Sequence, residues 1–535
     1  MKAISSDITD QAAPGATDAS VQTLNLEFTR NMGQISRQSV VFFAGTLFTM
    51  GAGYLAKIYV ARVLGAEQLG VYALGMTLAS LVQLFGVVGL QSTAARYVSV
   101  YSATGKYDDL RGLLTRSVGI IVILNLLFCG GLQLGGRWIS QHLYHAPLLA
   151  RYIPFFVVLA FLGSLSVFYC QVLGGFKDVS RRTIITNFVG SALVIVLTVG
   201  LLAAGTGMPG YLIAQIINSV VVVALLVRLA VKLTPKESRF SWRPLPRIDP
   251  EIKAFTVAAF GMSILDFLVS QADKILLGFF LNAALVGVYV VASTLSALVP
   301  IILQSVNQIF SPVIAHLHAK GRRDVLEQLF QTLTKWVLGL TLPLASVVII
   351  FALPLMRIFG PGFESGWKVL VIGTVGQVVN CGVGSVGYIL LMSGNQRRLI
   401  RVQFAMAAIS ILVNVALIPW LGIVGAALAA GTVTVAGNLW NLYHVHQALQ
   451  IFPYNRSYYG LIAPAALAAL AALGLRWLAN SVAYPWLVIM AALIVSYLIF
   501  ATLAIAWALD PYDRMIARSA WLYFRTSLDK WSVKA

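Results

Sequence analysis

The chain has 535 residues, of which 59% are hydrophobic and 11% are charged, and its formal net charge is +19. Soluble domains carry about 25% charged residues, and many apolar runs here exceed the roughly 20 residues that cross a bilayer. The composition excludes a soluble enzyme, gives no reason to expect nucleic-acid binding, and predicts an all-α protein that crosses the membrane many times.

The first residues are polar and lack the apolar core of a signal peptide, so residues 1–37 are predicted to be a disordered cytoplasmic tail. Hydropathy divides the rest into about fourteen spans. Their approximate limits are 38–61, 70–98, 113–136, 151–175, 183–205, 210–231, 254–281, 287–315, 329–353, 368–393, 401–420, 424–447, 459–479 and 486–509. The three cysteines all fall within apolar runs, which indicates small buried side chains and neither a disulfide framework nor a metal site.

The basic residues predict the orientation of the chain. If the N-terminus is cytoplasmic, thirty of the 38 Lys and Arg residues fall in cytoplasmic tails, loops and helix ends, and six fall on the outer side. Since cytoplasmic loops carry the excess of basic residues, this split predicts that both termini are cytoplasmic. We expect a multi-pass protein of the cell's inner (cytoplasmic) membrane.

An internal repeat indicates that the chain is duplicated. Shifting the chain by 217 residues aligns Lys57 with Lys274 and the Gly-Val-Tyr of residues 70–72 with that of residues 287–289. Both halves have six spans and therefore enter the membrane from the same side, which predicts parallel repeats. The predicted division is a tail at 1–37, an N-lobe at 38–232, a cytoplasmic linker at 233–253, a C-lobe at 254–448, peripheral spans at 449–509 and a basic amphipathic tail at 510–535.

Three ordered motifs carry a family resemblance: "ARVLGAEQLGVYAL" from Ala61, "QADKILLGFFLNAALVGVYVVASTLS" from Gln271, and "LVNVALIPWLGIVGAALAAGTVTV" from Leu412. They resemble the polysaccharide-transport (Wzx-type) oligosaccharide flippases of the multidrug/oligosaccharidyl-lipid/polysaccharide (MOP) exporter superfamily. The resemblance implies two six-helix lobes in a V around a central cavity. It also implies flipping of a lipid-linked oligosaccharide, carried on a polyprenyl pyrophosphate, between the leaflets.

Ionisable residues within spans are the first candidates for a site, because each costs at least about 2.5–3.5 kcal/mol at mid-membrane unless it is wet or paired. In the seventh span, Asp266, Ser270 and Asp273 share one helical face, and Lys274 lies close to it. We interpret this stripe as facing the cavity, with Asp266 or Asp273 carrying a coupling H+ or Na+ and Lys274 meeting anionic substrate. The alternative is an internal Asp–Lys pair that fixes helix packing.

Two further basic residues are candidates for substrate binding. Lys57 is paired with Lys274 by the repeat, which favours a shared cleft, although snorkelling to the outer interface also explains a lysine near the end of a span. Arg96 ends the second span on the inner side and could receive pyrophosphate there. A charge that only sets topology is the favoured interpretation of Arg96.

Polar residues in two apolar spans suit sugar hydroxyl groups. The eighth span carries Gln304, Asn307, Gln308 and Ser311 at i, i+3, i+4 and i+7, and Gln83 in the second span belongs to the same class. Hydrogen bonding between helices is the alternative. Pro300 and Pro312 are candidate hinges or static kinks in the eighth span.

The sequence contains no phosphate-binding Gly-x-x-x-x-Gly-Lys-[Ser/Thr] loop, so no ATP hydrolysis, cofactor or catalytic residue is predicted. Two other functions remain as alternatives, a drug exporter of the same superfamily and a membrane glycosyltransferase or polymerase. In-span lysines weigh against the first, and outer loops of only about fourteen residues, around 137–150 and 354–367, weigh against the second. Expected partners are the lipid-linked glycan, membrane lipids, and a glycan polymerase or other assembly proteins.

Overall fold

A computed structural model describes residues 18–238, 249–479 and 485–507, and within these ranges every regular element is helical. The helices are α1 (Asp18–Val87), α2 (Leu90–Thr104), α3 (Tyr107–Trp138), α4 (Pro147–Gly175), α5 (Val179–Thr183), α6 (Gly190–Ala203), α7 (Gly207–Leu233), α8 (Pro250–Phe280), α9 (Ala283–Ser296), α10 (Ile301–Ala319), α11 (Arg323–Ile350), α12 (Ala352–Arg357), α13 (Trp367–Val383), α14 (Val386–Met392), α15 (Gln396–Leu421), α16 (Ile423–Leu449), α17 (Ile462–Ala479) and α18 (Pro485–Trp507).

The fold is the all-α membrane architecture that the sequence predicts, but the number of spans is approximate. Twelve of the described helices are long and apolar enough to cross a membrane, and α9 with α10 forms a thirteenth if the pair counts as one span. The segment Phe48–Val87 of α1 is 40 residues long and apolar enough to cross a membrane. Such a helix would be about 60 Å long, twice the hydrocarbon core of a bilayer. We infer that the non-helical Gly65, with φ 76° and ψ 176°, divides α1 into two crossings.

The beginning of the chain differs from the prediction. Helix α1 starts at Asp18, so residues 18–37 are helical instead of a disordered tail. These residues include Leu, Met, Gln, Glu and Arg, which are good helix formers, and contain no proline. Residues 1–17 and the predicted amphipathic tail at 510–535 lie outside the described residues.

Several predicted spans are interrupted helices. The predicted second span, 70–98, breaks at Val88 and Gly89, which both have positive φ. The predicted eighth span is divided into α9 and α10, which are bent by 54°. Helices α13 and α14 are separated at Gly384, with φ 77°. Hydropathy alone does not reveal these breaks, because the residues on both sides remain apolar.

The two lobes share one core at one end and have separate cores at the other. We call the end where α7 finishes and α8 starts the linker face, and the opposite end the distal face. One buried cluster joins Leu74 and Phe156 of the N-lobe to Val286 and Met356 of the C-lobe. Separate clusters form around Phe168 in the N-lobe and around Phe330 in the C-lobe. The lobes therefore share one buried apolar core near the distal face and have separate apolar cores nearer the linker face.

Helices α17 and α18 follow the two six-helix repeats and pack against α11. Val347 and Phe351 of the α11 region are buried with Ala472 and Ala492 of the added helices. The linker between the lobes includes a short helical turn, Lys236–Ser238, while residues 239–248 lie outside the described part of the chain.

Candidate functional site: the interface between the lobes

The repeats meet at the distal face through two copies of one small-residue motif. Ala66 and Gly70 lie near the start of the second crossing of α1, and Ala283 and Gly287 begin α9. A methyl group added to Gly70 would overlap the carbonyl oxygen of Ala283, and one added to Gly287 would overlap that of Ala66. This reciprocal contact is an Ala-x-x-x-Gly crossing in which only glycine permits such close approach of the backbones.

Local sequence starts a helix at the same point in each repeat. Gly65 adopts a positive φ that an L-residue with a side chain rarely adopts, and the helix restarts directly after it. In the second repeat, the side chain of Asn282 caps α9 by accepting a hydrogen bond from the backbone N–H of Leu285 at 3.0 Å. The Arg62 Nε atom adds a link between the lobes by donating to the carbonyl oxygen of Ile358 at 2.7 Å.

A second interface lies nearer the linker face, between α2 and α8. The hydroxyl groups of Thr93 and Thr256 are 2.8 Å apart, and the Gln91 amide donates to the Ser263 hydroxyl at 3.1 Å. Gly89 permits this approach, because a methyl group there would lie 2.6 Å from the carbonyl oxygen of Thr256. The lobes therefore contact each other at two levels.

Arg96 belongs to this second interface. Its guanidinium group is 3.4 Å from the Glu251 carboxylate and lies over the ring of Phe255, with 4.8 Å between the guanidinium carbon and the ring centroid. About half of the Arg96 side chain and two thirds of the Glu251 side chain are exposed. Arg96 is thus a link between the lobes, which neither sequence interpretation foresaw.

A cavity of about 480 Å³ lies between the N-lobe and α9, and Lys57 lines it. The Lys57 ammonium is 5.3 Å from the centroid of the Tyr54 ring, and the Tyr54 hydroxyl donates to the carbonyl oxygen of Thr294 in the C-lobe at 2.7 Å. The other polar side chains on its wall are Thr49, Tyr72, Ser191, Thr198, Tyr211, Gln215 and Thr294. We call this space the central cavity.

Most of these polar residues were not singled out from the sequence. The Tyr211 ring packs edge-on against the Tyr72 ring, with 4.9 Å between the ring centroids, which links α7 to the second crossing of α1. Gln215 lies within an apolar span, and a polar residue in such a span is the signal that the sequence offers. The tyrosines gave none, because buried tyrosines are common in helical cores.

The polar stripe of α8 lies between two contacts with the N-lobe. Ser263 contacts Gln91 on the side of the linker face, and Gly278 packs against Leu74 and Tyr144 on the distal side. Around the helix, Ser270 lies about 20° and Asp266 about 60° from Ser263. Both Asp266 and Ser270 are exposed. The stripe therefore lies on the side of α8 that contacts the N-lobe, and its residues do not line the cavity around Lys57.

Asp273 and Lys274 have separate partners and do not form the internal pair considered as an alternative. The Asp273 carboxylate accepts a hydrogen bond from the Tyr289 hydroxyl at 2.6 Å. The Lys274 ammonium donates to the Gln271 side chain at 2.9 Å and to the Ser270 carbonyl at 3.4 Å. Asp273 thus joins α8 to α9 within the C-lobe.

The polar residues of the eighth span lie on α10 and differ in exposure. Gln304 is exposed and Ser311 is half-buried, whereas Asn307 is buried and its side-chain oxygen has no hydrogen-bond partner among the described residues. The side chain of Gln308 lies outside the described residues. The three described residues therefore differ in exposure, and their role in binding sugar hydroxyl groups stays a prediction.

The remaining candidates are placed as follows. Gln83 packs against Gly163 of α4, inside the N-lobe, so it is a helix-packing residue and not part of the interface between the lobes. Pro300 immediately precedes α10 at the 54° bend, and Pro312 lies within α10. The bend at Pro300 is thus present, and its role as a hinge stays a prediction.

The two repeats, the distal crossing and the cavity between the lobes define a two-lobed membrane transporter fold. Residues 58–371 match the family model described as "Polysaccharide biosynthesis protein", and the chain belongs to that family. It is 24% identical over 442 residues to the "Probable flippase AglR" of Haloferax volcanii, covering 79% of this chain and 86% of that protein. It is 21% identical over 429 residues to the "Probable low-salt glycan biosynthesis flippase Agl15" of the same organism, with the same coverage.

Solved structures agree on the fold. The chain is similar to a lipid II flippase MurJ in an inward closed conformation, with a TM-score of 0.67, 15% identity, and coverage of 87% of this chain and 98% of that one. It is also similar to an inward-facing multidrug resistance MATE transporter of the MOP superfamily, with a TM-score of 0.60, 15% identity, and coverage of 77% and 99%.

Proposed function

We propose that this protein is a flippase that moves a lipid-linked oligosaccharide across the membrane for polysaccharide biosynthesis. Membership of the polysaccharide biosynthesis family supports this function, as do relatives whose names describe flippases. The proposed substrate is a glycan on a polyprenyl pyrophosphate, and the protein acts as a transporter and not as an enzyme.

The observation that carries the proposal is the position of Lys57 on the wall of the central cavity. Pulling an unpaired polar group through hydrocarbon costs several kcal/mol. A glycan headgroup therefore needs a space that offers polar partners and, for its phosphates, a positive charge. Lys57 supplies the charge, and hydroxyl groups such as those of Ser191 and Thr198 line the same wall. The volume of about 480 Å³ lies within the usual range of ligand sites.

The two levels of contact between the lobes support alternating access. The distal crossing at Gly70 and Gly287 separates the central cavity from the distal face in this state. The contacts between α2 and α8 include the exposed Arg96–Glu251 ion pair, and an ion pair of this kind separates at low cost. Rocking of one lobe against the other would open one face as the other closes.

The excess of Lys and Arg residues in the loops and tails on one side of the predicted spans supports an orientation with the linker face in the cytoplasm. We propose the cell's inner membrane as the location. Within this scheme Asp266, exposed on the flank of α8, is the favoured site for a coupling H+ or Na+. Asp273 is the weaker candidate, because its carboxylate is already bound by Tyr289.

The fold alone also fits a drug exporter, since a multidrug transporter shares it. A site for cationic drugs needs acidic groups. The described residues that line the central cavity include Lys57 and no Asp or Glu. This charge favours an anionic substrate.

The proposal is tested with the purified full-length protein in proteoliposomes that contain a fluorescent polyprenyl-pyrophosphate oligosaccharide. A membrane-impermeant quencher measures how much of the fluorophore reaches the outer leaflet. We expect faster exposure than in liposomes without protein, and no acceleration for a fluorescent phosphatidylcholine. Equal rates with and without protein, in vesicles where insertion has been confirmed, would contradict a flippase.

A further inference from the structure

Tyr54 lies at the boundary between the central cavity and the C-lobe. It belongs to the first crossing of α1, is half-buried, and lines the central cavity together with Lys57. Its hydroxyl group donates to the carbonyl oxygen of Thr294 on α9 at 2.7 Å. The tip of the Tyr54 ring is therefore fixed by the opposite lobe.

The position of the Lys57 ammonium depends on this ring. Lys57 follows Tyr54 by three residues, so the two side chains are neighbours on one side of the helix. The ammonium lies 5.3 Å from the ring centroid, within the range of a cation–π contact. In the described part of the chain it makes no hydrogen bond or ion pair, and the side chain is exposed. Because a lysine side chain is a flexible four-carbon stem, the Tyr54 ring is what defines where this charge lies.

The carbonyl group that accepts from Tyr54 is available because α9 ends in a bend. The backbone N–H of Leu298 donates to the carbonyl oxygen of Leu295 and not to that of Thr294. Pro300, which has no N–H, follows, and the chain bends by 54° between α9 and α10. A carbonyl group left out of the helical hydrogen bonds within a membrane needs another donor, and Tyr54 supplies it.

We propose that Tyr54 is a positioning residue of the central cavity. Its ring holds the Lys57 ammonium where a phosphate group of the substrate binds, and its hydroxyl keeps the ring in place only while α9 lies against α1. This inference rests on the proposed function, because it takes Lys57 to be the phosphate ligand. Tyr54 acts through Lys57 and is not itself assigned a contact with the substrate.

This arrangement couples substrate binding to the contact between the lobes. When the lobes separate at this level, the hydrogen bond to Thr294 breaks, the Tyr54 ring gains rotamers, and Lys57 binds phosphate less tightly. Coupling between two equilibria is reciprocal, so a bound phosphate also favours the state in which α1 touches α9. The substrate is therefore bound tightly in this state and released more easily when the lobes part.

The first test measures binding of farnesyl pyrophosphate, an isoprenyl pyrophosphate without a sugar, to the full-length protein in detergent by isothermal titration calorimetry. We expect Lys57→Gln to bind it about tenfold or more weakly than wild type. Tyr54→Phe keeps the ring and loses the hydroxyl, and should bind it about threefold to tenfold more weakly. Tyr443→Phe, at a tyrosine that is exposed on α16, is the matched control and should bind like wild type.

A double variant separates positioning from a purely structural role. If Tyr54 acts through the lysine, Tyr54→Phe/Lys57→Gln binds the probe no more weakly than Lys57→Gln alone, because the two effects are not additive. A tyrosine that only stabilises the fold would lower the affinity by the same factor in both backgrounds, and that result overturns the proposal.

A distance measurement tests the coupling. Spin labels are placed at the exposed Val196 of α6, which borders the cavity, and at the exposed Val375 of α13. Helix α13 packs on α9, since a methyl group on Gly373 would lie 2.7 Å from the Ser296 hydroxyl. We expect farnesyl pyrophosphate to narrow the distance distribution in wild type and to have little effect on it in Tyr54→Phe. An equal response in both proteins overturns the coupling.

The outcomes distinguish this inference from the proposed function. Probe binding that depends on Lys57 but is unchanged in Tyr54→Phe overturns the positioning role and leaves the flippase intact. Binding that is unchanged in Lys57→Gln overturns both the phosphate site and the role of Tyr54. A protein that binds the probe as expected but does not accelerate transfer in the quenching assay contradicts the flippase and not the positioning of Lys57.

Discussion

Gly70 and Gly287 approach each other across the interface so closely that a methyl group on either would lie within 3.0 Å of the other's backbone nitrogen. The two glycines occupy equivalent positions in the repeats, 217 residues apart. Each also lies against the backbone carbonyl of the alanine that begins the motif in the other lobe. The distal closure is thus made by backbone against backbone, with no side chain able to move aside.

This closeness makes the distal contact sensitive to a single methyl group. We expect Gly70→Ala and Gly287→Ala each to shift the protein towards a state that is open at the distal face, because overpacking of this kind costs about 1–3 kcal/mol. Spin labels at the exposed positions of Trp138 and Trp420 would report a longer distance between the lobes at that face.

Gly119→Ala and Gly261→Ala are the matched controls for the distal contact, since a methyl group at either meets open space. They should leave the distance distribution unchanged. If Gly70→Ala is produced in normal yield and shows the same distance distribution between the spin labels as wild type, the crossing does not close the distal face.

Lys57→Gln tests the positive charge in the central cavity. Loss of a hydrogen bond to a charged group costs about 1.5–3 kcal/mol, which corresponds to a roughly tenfold to hundredfold loss of affinity. We expect a weakened apparent affinity for the lipid-linked glycan in the quenching assay, with partial recovery in Lys57→Arg. Lys368→Gln is the control, because Lys368 is exposed and its ammonium lies 5.7 Å from the centroid of Trp367, away from the cavity. An unchanged affinity in Lys57→Gln would remove this residue from the site.

The sequence predicts the repeat and the helical fold because both follow from the spacing of apolar, polar and glycine residues along the chain. The 217-residue shift identified Gly70 and Gly287 as equivalent, and helical periodicity placed Asp266 and Ser270 on one face. Which residue each polar group meets depends on tertiary contacts that the pattern does not contain. The Asp273 carboxylate is bound by Tyr289, sixteen residues away. The alternative prediction from the sequence pairs Asp273 with its neighbour Lys274. In the same way, Gln83 meets Gly163 of another helix.

Asp266→Asn tests the coupling role proposed for α8. The side chain is exposed, so the substitution should not disturb folding. We expect translocation to slow by about tenfold or more and its acceleration by an imposed H+ or Na+ gradient to disappear, since a group in proton transfer typically contributes at least that much. Ser270→Ala, one turn along the same face, is the control and should keep its response to the gradient. If Asp266→Asn responds like wild type, the ion is bound elsewhere or not at all.

Tyr289→Phe separates a structural role of Asp273 from a transport role. The variant leaves the Asp273 carboxylate without its donor at 2.6 Å, and we expect the free energy of unfolding to fall by about 1–3 kcal/mol. Unfolding in detergent would measure it, with the exposed Tyr459→Phe as control. Translocation per folded molecule should change little. A large loss of translocation with unchanged stability would instead make Asp273 a participant in transport.

Variants of Arg96 distinguish a residue that links the two lobes from one that binds the substrate. Exposed ion pairs contribute about 0–1 kcal/mol, so Arg96→Gln should change the linker-face distance distribution only slightly. Thr256→Val removes a partner of the fully buried Thr93 and should open that face more, because a buried polar group loses a hydrogen bond. Spin labels at the exposed positions of Thr104 and Ala319 would compare the two variants. Loss of a charged ligand would weaken the apparent affinity for the glycan lipid about tenfold. If Arg96→Gln has that effect, Arg96 receives the pyrophosphate. Its pairing with Glu251 then marks a state without substrate.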